Sequence, residues 1–390
     1  MGFRDLVDGS RTVKGPVSVN YDMKEESESS GNMPLLFSEI IESPGHRATM
    51  NILTRHRLCE AFDVEPGELI DILAWAMENP SDTVLVDGDS APVLENKMEV
   101  TDISTLPIPW HYREDGGWYQ SSSIIIAQYG GQRNTSFHRQ LLKGPDRTTV
   151  RLVPRHLRTM ADQAFENNED VPIAVVNGPD PLVLLAAAMS FNEPIDELQV
   201  ASALHERLYG EKLRLVELPN GVQVPAESEY AMEARITTKL DDEGPYVDIT
   251  GTVDDIRQEP VIEYDSIRHR NEPIFHALIP AGVEHMTLMG MPRAPTIKTA
   301  VSEVVTCTDV YLTDGGSGWL SSVVQIIPEK SGDSMRAIHA ALDGHKSMKQ
   351  VIVVDTDIDV TNSSRVESVS YTHLRAHETK ANLVCRLLLE

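Results

Sequence analysis

The sequence predicts an α+β chain in which a central, strand-rich domain lies between two units that mix helices and strands. Short β-type runs recur through the middle of the chain with a helix inserted among them, which is typical of a barrel-like domain. The first hundred residues combine helical and extended patterns, and a strand–helix–strand pattern follows residue 300. We therefore expect an N-terminal α/β domain (1–100), a barrel-like domain (101–300) and a C-terminal α/β domain (301–367).

The N-terminal unit contains one clear helical segment and leads into a turn-rich one. Residues 66–79 include LIDILAWAM, whose apolar positions suit an amphipathic helix. Residues 101–117 contain two prolines and the run DGG at 115–117, so we interpret them as a linker.

The central region begins with a predicted β-hairpin. Residues 121–129 are rich in isoleucine, Gly130-Gly131 supplies a turn, and residues 134–142 form the partner strand. A helix should begin at Pro154, because the apolar positions that follow have the helical period. Further short strands are predicted at residues 173–176, 222–224, 234–238, 261–267 and 274–278.

The C-terminal pattern predicts a β-α-β unit. Residues 319–327 indicate a strand, residues 334–343 a helix that Gly344 would end, and residues 350–355 a second strand.

The last 23 residues, 368–390, do not continue this pattern. They resemble translated sequencing-adapter read-through, so we expect the genuine sequence to stop near Glu367, in mid-protein, and the C-terminal domain to be incomplete. His373 and His377 have a spacing that can place two metal ligands on one helix face. We do not expect them to bind a native metal.

Composition excludes several classes of function. The net charge of −26 disfavours nucleic acid and anionic membranes as partners. The longest apolar run, residues 181–189, is too short to span a bilayer, and the first residues lack a secretory pattern. The three cysteines show no CxxC spacing, which argues against disulfides and structural zinc. A cytoplasmic protein is expected.

Common catalytic motifs are missing from the sequence. It contains neither a GxxxxGK phosphate loop nor a GxSxG nucleophile elbow, and residues 313–318 fit no dinucleotide fingerprint. The remaining polar clusters lie at residues 133–139, 153–156, 195–197 and 241–248. Each cluster taken alone is most often a surface strand, a helix cap or an acidic turn.

Taken together and in order, these clusters resemble the UbiD-type decarboxylases. Asn134 and Arg139 form an N-x-x-x-x-R element, and His156 follows about seventeen residues later. The E-G-P-x-x-[DE] element is complete from Glu243 to Asp248. Other matching stretches are GFRDLVD at the start, TLPIP at 105–109, the small residues 187–189, Glu197, and DTDIDV at 355–360.

The resemblance implies that the central domain is a split barrel that binds prenylated FMN. It also implies a divalent metal, Mn²⁺ or Mg²⁺, with K⁺ nearby. The oxygen-rich set of Asn134, His156 and Glu197 suits such a hard ion. The residues implied for cofactor binding are Ser136, Phe137, His138, Arg139, Arg151, Leu152, Val153, Arg155, His156, Ala188 and Met189.

The implied catalytic residues are Arg139, Glu243 and Asp248. Decarboxylation leaves two electrons on carbon, and no side chain here can accept them, which independently implies a cofactor. Arg139 would hold a carboxylate and Asp248 would deliver the proton. Positions 134 and 139 differ by an odd number, so a bulge or the strand end must bring both to one site.

The implied substrate is a small unsaturated acid. The motifs are closest in appearance to archaeal members that convert trans-anhydromevalonate 5-phosphate to isopentenyl phosphate and CO₂. An aryl acid of the hydroxybenzoate type and a flavin-binding protein without decarboxylase activity are the alternatives. Expected partners are a flavin prenyltransferase as cofactor supplier and further copies of the chain, as a homodimer or larger homo-oligomer.

Overall fold

A computed structural model of the protein describes residues 2–191 and 193–374, with side chains as far as residue 368. Contacts divide the chain into two compact units. The first comprises the chain up to residue 57 together with residues 79–285, and the second comprises residues 58–78 and the chain from residue 286 onward.

Helices and strands alternate irregularly along the described chain. The helices are α1 (Phe3–Val7), α2 (Asp22–Ser29), α3 (Arg55–Phe62), α4 (Pro66–Glu78), α5 (His156–Glu166), α6 (Pro181–Ala188), α7 (Glu197–Tyr209), α8 (Val283–Gly290), α9 (Ala294–Ser302), α10 (Asp333–Gly344) and α11 (Ser363–Leu374). The strands before residue 200 are β1 (Arg11–Val13), β2 (Leu35–Phe37), β3 (Arg47–Met50), β4 (Val84–Leu85), β5 (Asn96–Lys97), β6 (Tyr119–Gln120), β7 (Ile124–Tyr129), β8 (Gln132–Phe137), β9 (Gln140–Gly144), β10 (Arg147–Val150) and β11 (Val171–Asn177). The later strands are β12 (Arg214–Glu217), β13 (Gln223–Pro225), β14 (Tyr230–Glu243), β15 (Tyr246–Val247), β16 (Val253–Asp254), β17 (Arg257–His269), β18 (Ile274–His276), β19 (Thr306–Leu312), β20 (Ser321–Ile327) and β21 (Gln350–Val354).

The first unit is built around a nine-stranded sheet. Its path runs β6-β9-β10-β17-β14-β11-β7-β8, and β5 pairs with β17. The long strands β14 and β17 pair antiparallel from Tyr230 opposite His269 to Glu243 opposite Arg257. Consecutive isoleucines 124–126 in β7 are all fully buried, so both faces of this strand are covered.

Helix α5 packs against this sheet through one apolar stripe. Leu157, Met160, Ala161 and Ala164 are buried at helical spacing, and α5 contacts β7, β8, β11 and β14. The predicted helix is confirmed. It begins at His156 rather than Pro154, because Arg155 has extended backbone and acts as the N-cap residue.

The predicted hairpin is also confirmed, with shorter strands. Gly130 and Gly131 both have positive φ, as a two-residue hairpin turn requires, and they join β7 to β8. The second strand begins at Gln132 and stops at Phe137. Arg139 therefore lies beyond the strand that carries Asn134, so strict alternation does not apply to the two residues.

Smaller sheets complete the first unit. Strands β1, β2, β3 and β18 form a four-stranded sheet, β13, β12 and β4 form a three-stranded sheet, and β15 pairs with β16.

The second unit contains the predicted β-α-β arrangement. Strand β20 pairs in parallel with β21, and α10 connects them, while β19 pairs antiparallel with β20. Apolar side chains from α4, α9, α10 and the sheet form its core.

The mixture of helices and strands confirms the predicted α+β class. The three-domain division and the split-barrel form of the central domain stay predictions. Helix α11 continues through Leu374, and residues 375–390 of the tail, including His377, lie outside the described residues. No helix in the described ranges has the length and apolar character that crossing a membrane would require.

Candidate active site

Arg139 lies between β8 and β9, and the buried carboxylate of Glu243 holds its side chain in place. Its Nε donates to Oε1 of Glu243 at 2.9 Å, and its Nη2 donates to Oε2 at 3.0 Å. The Glu243 side chain is 0% exposed and that of Arg139 is 11% exposed. Nη1 lies 3.0 Å from Oδ2 of Asp254. Burial alone would lower the pKa of Arg139, but the hydrogen bonds and charge of Glu243 hold it above its ordinary value.

Two aromatic rings complete the surroundings of this ion pair. The guanidinium of Arg139 lies over the ring of Tyr246, 4.3 Å from its centre, which is a cation–π contact. The fully buried Tyr119 donates its hydroxyl to Glu243 at 3.2 Å, and its ring packs on Tyr246. Desolvation raises the pKa of both tyrosines, so both hydroxyls stay neutral.

Asp248 lies in the turn between β15 and β16, five residues after Glu243. Its backbone N–H donates to Thr252 O at 2.9 Å, and its carbonyl accepts from Gly251 N at 2.8 Å. Its Oδ1 accepts from the Ile249 backbone N–H at 2.7 Å. Within the described residues its Oδ2 makes no hydrogen bond, so one oxygen of this half-buried carboxyl is available to exchange a proton.

Asn134 and Glu197, two of the three residues predicted to bind the metal, are in direct contact. Asn134 Nδ2 donates to Glu197 Oε1 at 2.9 Å, and the Thr135 backbone N–H donates to Oε2 at 2.7 Å. Glu197 begins α7, where Asp196 acts as the N-cap residue. Glu197 is only 4% exposed. Burial raises the pKa of Glu197 to about 8, although the Thr135 N–H acts in the opposite direction.

A chain of hydrogen bonds continues from Asn134 along one face of the strand. Ser136 Oγ lies 2.9 Å from Asn134 Oδ1 and 3.0 Å from His138 Nε2. His138 Nδ1 lies 3.0 Å from the Arg151 carbonyl oxygen, which accepts only. Burial lowers the pKa of His138 to about 4, so the neutral ring must carry its proton on Nδ1. The single Ser136 proton then faces two acceptors.

The other residues predicted to hold the cofactor lie in two loops. Arg151, Leu152, Val153 and Arg155 connect β10 to α5, and the Arg151 backbone N–H donates to Arg139 O at 3.2 Å. The predicted residues at the end of α6 are half-buried Ala188 and buried Met189. The two loops meet where Arg155 Nη1 donates to Ser190 Oγ.

His156 is not joined to the predicted metal ligands by hydrogen bonds. It is half-buried at the first position of α5, and within the described residues it makes no hydrogen bond with Asn134 or Glu197. No cluster of three His, Cys, Asp or Glu side chains suited to a metal occurs in the part of the chain that the structure describes. The predicted set contains only two such residues, because Asn134 contributes an amide. The metal set stays a prediction.

Several members of this site were not predicted from the sequence. Tyr119, Tyr246 and Asp254 contact Arg139 or its partner but belong to ordinary strand positions, which gave no signal. His285 was also missed. Its Nδ1 accepts from Ala281 N at 3.1 Å, and burial lowers its pKa to about 4, with the Asp248 charge acting in the opposite direction.

Comparisons with known proteins identify the family of this chain. The family described as the 3-octaprenyl-4-hydroxybenzoate carboxy-lyase Rift-related domain, UbiD, matches residues 84–283, and the C-terminal domain of the same enzyme family matches residues 286–378. The anhydromevalonate phosphate decarboxylase of Methanosarcina mazei is 38% identical over 93% of this chain and 84% of its own length. The enzyme of that name from Archaeoglobus fulgidus is 39% identical over 94% of this chain and 84% of its own length.

Solved structures give the same result. An evolved dimeric form of the UbiD-class enzyme HmfF from Pelotomaculum thermopropionicum, in complex with prFMN, has a TM-score of 0.89 and 31% identity. That similarity covers 95% of this chain and 89% of the HmfF chain. The 3,4-dihydroxybenzoic acid decarboxylase AroY of Klebsiella pneumoniae shares the fold at a TM-score of 0.86 and 22% identity, over 95% and 85% of the two chains. The chain is a member of the UbiD family of decarboxylases.

Proposed function

We propose that this protein removes CO₂ from trans-anhydromevalonate 5-phosphate to give isopentenyl phosphate, using prenylated FMN and a divalent metal. The substrate is supported by the archaeal anhydromevalonate phosphate decarboxylases at 38–39% identity over most of the chain. The cofactor is supported by the UbiD-class enzyme at 31% identity that was solved with prFMN.

The observation that carries the proposal is the Arg139–Glu243 pair with Asp248 on the adjoining hairpin. The guanidinium carries five N–H donor hydrogens. Its three contacts to Glu243 and Asp254 use three of them, which leaves two N–H groups for a further acceptor. A buried arginine with donors to spare suits a substrate that carries a carboxylate. Asp248 has a free oxygen on a turn held by backbone bonds, which suits proton delivery.

The residues that would hold the metal fit a hard cation. Glu197 is a buried carboxylate, and burial raises its pKa although hydrogen bonds from Thr135 and Asn134 act in the opposite direction. Ser136 Oγ has one proton and faces two acceptors, Asn134 Oδ1 and His138 Nε2. It can donate to only one of them, so the other acceptor is left for a cation. Both features favour a cation with oxygen ligands. His156 would join Asn134 and Glu197 as the third ligand.

The residues that would hold the flavin phosphate lie at the start of α5. The first N–H groups of this 11-residue helix have no partner within the helix, and in the structure as described the side chain of the N-cap residue Arg155 does not cap them. The exposed Arg155 adds positive charge beside them. When bound, prenylated FMN would supply the electron sink that the side chains lack.

The chain's own residues have separable tasks in this mechanism. Arg139 would hold the substrate carboxylate in position, and Glu243 keeps the guanidinium in place through two parallel hydrogen bonds. Asp248 would transfer a proton from Oδ2 to the carbon that has lost CO₂. The buried rings of Tyr119 and Tyr246 exclude water from one side of Arg139, which strengthens its interactions.

The proposal is tested by co-expression with a flavin prenyltransferase. The mass and the ultraviolet-visible spectrum of the released cofactor should match prenylated FMN, and the loaded protein should form isopentenyl phosphate from trans-anhydromevalonate 5-phosphate. CO₂ release from hydroxybenzoates alone would favour the aryl acid alternative. Bound plain FMN that NAD(P)H reduces, without CO₂ release from either acid, would contradict the proposal and favour a redox flavoprotein.

Glu197 should couple metal binding to proton release. Burial raises its pKa to about 8, so the metal-free protein holds a proton that unfolding releases, and the free energy of unfolding should fall as pH rises from about 4.5 through 8. Mn²⁺ needs the carboxylate, so at pH 7 its binding should release about one proton. Calorimetry in buffers of different ionisation enthalpy measures this number.

Glu197→Gln is the matched variant. It keeps the side-chain size and one acceptor, but it should bind Mn²⁺ and flavin more weakly and release no proton. Glu206→Gln, on the same helix and exposed, should behave like the parent. Unchanged Mn²⁺ affinity in Glu197→Gln would remove Glu197 from the metal site.

A further inference from the structure

The loop of residues 112–117 packs on the segment that leads into the Asp248 hairpin. The turn residues of this YREDGG stretch predict part of a linker, but in the structure the stretch makes specific contacts. Asp115 Oδ1 accepts from the Val247 backbone N–H at 2.8 Å, and Gly116 N donates to Pro245 O at 2.8 Å. Two consecutive loop residues therefore hold the strand that ends immediately before Asp248.

Backbone packing leaves no room for adjustment at this contact. A Cβ placed on Gly116 would lie 2.5 Å from Gly244 O and 2.9 Å from Gly244 C. The loop and the Gly244 turn thus touch backbone to backbone, and glycine is required at position 116. The contact lies next to Glu243, so it fixes both ends of the segment that carries the two catalytic carboxylates.

Asp115 uses both carboxylate oxygens in this arrangement. Oδ2 accepts from the Tyr112 backbone N–H at 3.0 Å within its own loop, while Oδ1 accepts from the hairpin. The residue is 4% exposed, so water cannot replace either bond readily. A protonated carboxyl carries a hydrogen on one oxygen, and that oxygen would then point a donor at a donor.

We propose that Asp115 is a positioning residue for the proposed reaction, in which its ionised carboxylate fixes the Val247 amide and thereby the place of Asp248. The inference rests on the proposed function, because it assigns Asp115 a role through the proton donor. Asp115 itself is not placed in contact with substrate or cofactor.

Ionisation of Asp115 should occur close to neutral pH. Burial raises its pKa to about 6, although the N–H groups of Val247 and Tyr112 act in the opposite direction. The charged groups that face it are Glu114, which raises the pKa, and Arg139, which lowers it. The nearby hydroxyls of Tyr112, Tyr119 and Tyr246 all have raised pKa values and stay neutral in this range. Below about pH 6 the hairpin should therefore lose one of its two attachments.

Hydrogen exchange at the Val247 amide tests the contact without any cofactor or substrate. In the parent, protection of this amide, corrected for intrinsic exchange, should fall as pH decreases through about 6. Asp115→Asn should reduce protection by about tenfold at pH 8 and remove the pH dependence, since an amide offers one acceptor for two donors. Asp102→Asn is the control, because Asp102 also accepts a backbone N–H, from Ser104, but away from the hairpin.

Turnover and thermal stability supply the second readout. The kcat of the cofactor-loaded parent should decrease below about pH 6. Asp115→Asn should turn over about tenfold or more slowly than the parent at pH 8, and its kcat should show no decrease below about pH 6. Relative to the unfolded chain, burial of the charged Asp115 carboxylate is unfavourable, so the global free energy of unfolding should fall as pH rises from about 4 through 6 even though the local contact to Val247 forms. The Tm of the parent should therefore fall relative to Asp115→Asn over that range. Gly116→Ala should slow turnover at every pH without changing the profile.

Two outcomes would overturn the inference. One is Val247 protection that does not depend on pH in the parent, a measurement that needs no variant to fold. The other is a kcat–pH profile of Asp115→Asn that follows the parent. If the parent decarboxylates none of the acids, the proposed function fails instead, and the exchange data still decide whether Asp115 fixes the hairpin.

Discussion

Replacing Asp248 with Asn is expected to reduce turnover by ~10²–10⁴-fold, the range for a lost general acid, while cofactor binding stays normal. The substitution should change the structure of the turn very little. The Asn Oδ1 can still accept from the Ile249 N–H, which lies 2.7 Å from Asp248 Oδ1. The new NH₂ group replaces Oδ2, which makes no hydrogen bond within the described residues. The measurement is kcat on trans-anhydromevalonate 5-phosphate with the cofactor content of each preparation quantified.

Asp255→Asn is the matched control for this experiment. Asp255 follows β16 in the same part of the chain, and its side chain is exposed. Its amide variant should turn over at the parent rate. Parent-like turnover of fully loaded Asp248→Asn would show that the proton comes from another group, and the nearby His285 would be the next residue to replace.

Much of the fold could be predicted because local signals and burial agree. The Gly130-Gly131 turn, the apolar stripe of α5 and the β-α-β unit around α10 all appear near their predicted places. Strand lengths could not be predicted as well. Strand β14 extends from Tyr230 to Glu243, far beyond the predicted 234–238, because its charged and polar residues are stabilised by pairing with β17 rather than by their own propensity.

The candidate site shows the same limit. The motifs located Asn134, Arg139, Glu197 and Glu243, and the structure brings them into two contacting pairs. The other side chains that contact these pairs come from other parts of the chain, and nothing in their residue types marks them as site residues in the sequence. The DGG run at 115–117 is the clearest example: turn residues typical of a linker form a close backbone contact, which depends on tertiary packing alone.

Arg139→Ala is expected to be the most destabilising of the substitutions considered. Among the described residues, it would leave Glu243, whose side chain is 0% exposed, with only the Tyr119 hydroxyl as a side-chain donor. Removing one partner of a buried ion pair costs about 3–5 kcal/mol of the free energy of unfolding, because the remaining charge is buried and uncompensated. Arg139→Lys should lose less stability but cannot reproduce the two parallel hydrogen bonds, so its turnover should also fall. Chemical denaturation of the cofactor-free protein measures this loss in the free energy of unfolding.

Arg235→Ala provides a control, because Arg235 has three charged partners where Arg139 has two. Arg235 lies on β14 and contacts Asp170, Glu263 and Asp265, but its side chain is 37% exposed. Solvent screening limits such pairs to about 0–1 kcal/mol each, so this variant should unfold at nearly the parent denaturant concentration. An equally small loss of stability in Arg139→Ala would contradict the importance of the buried pair.

Replacing both partners, Arg139→Met with Glu243→Leu, separates the two roles of the pair. Stability should largely return because no buried charge remains, whereas decarboxylation should not, because no guanidinium is left to orient the substrate carboxylate.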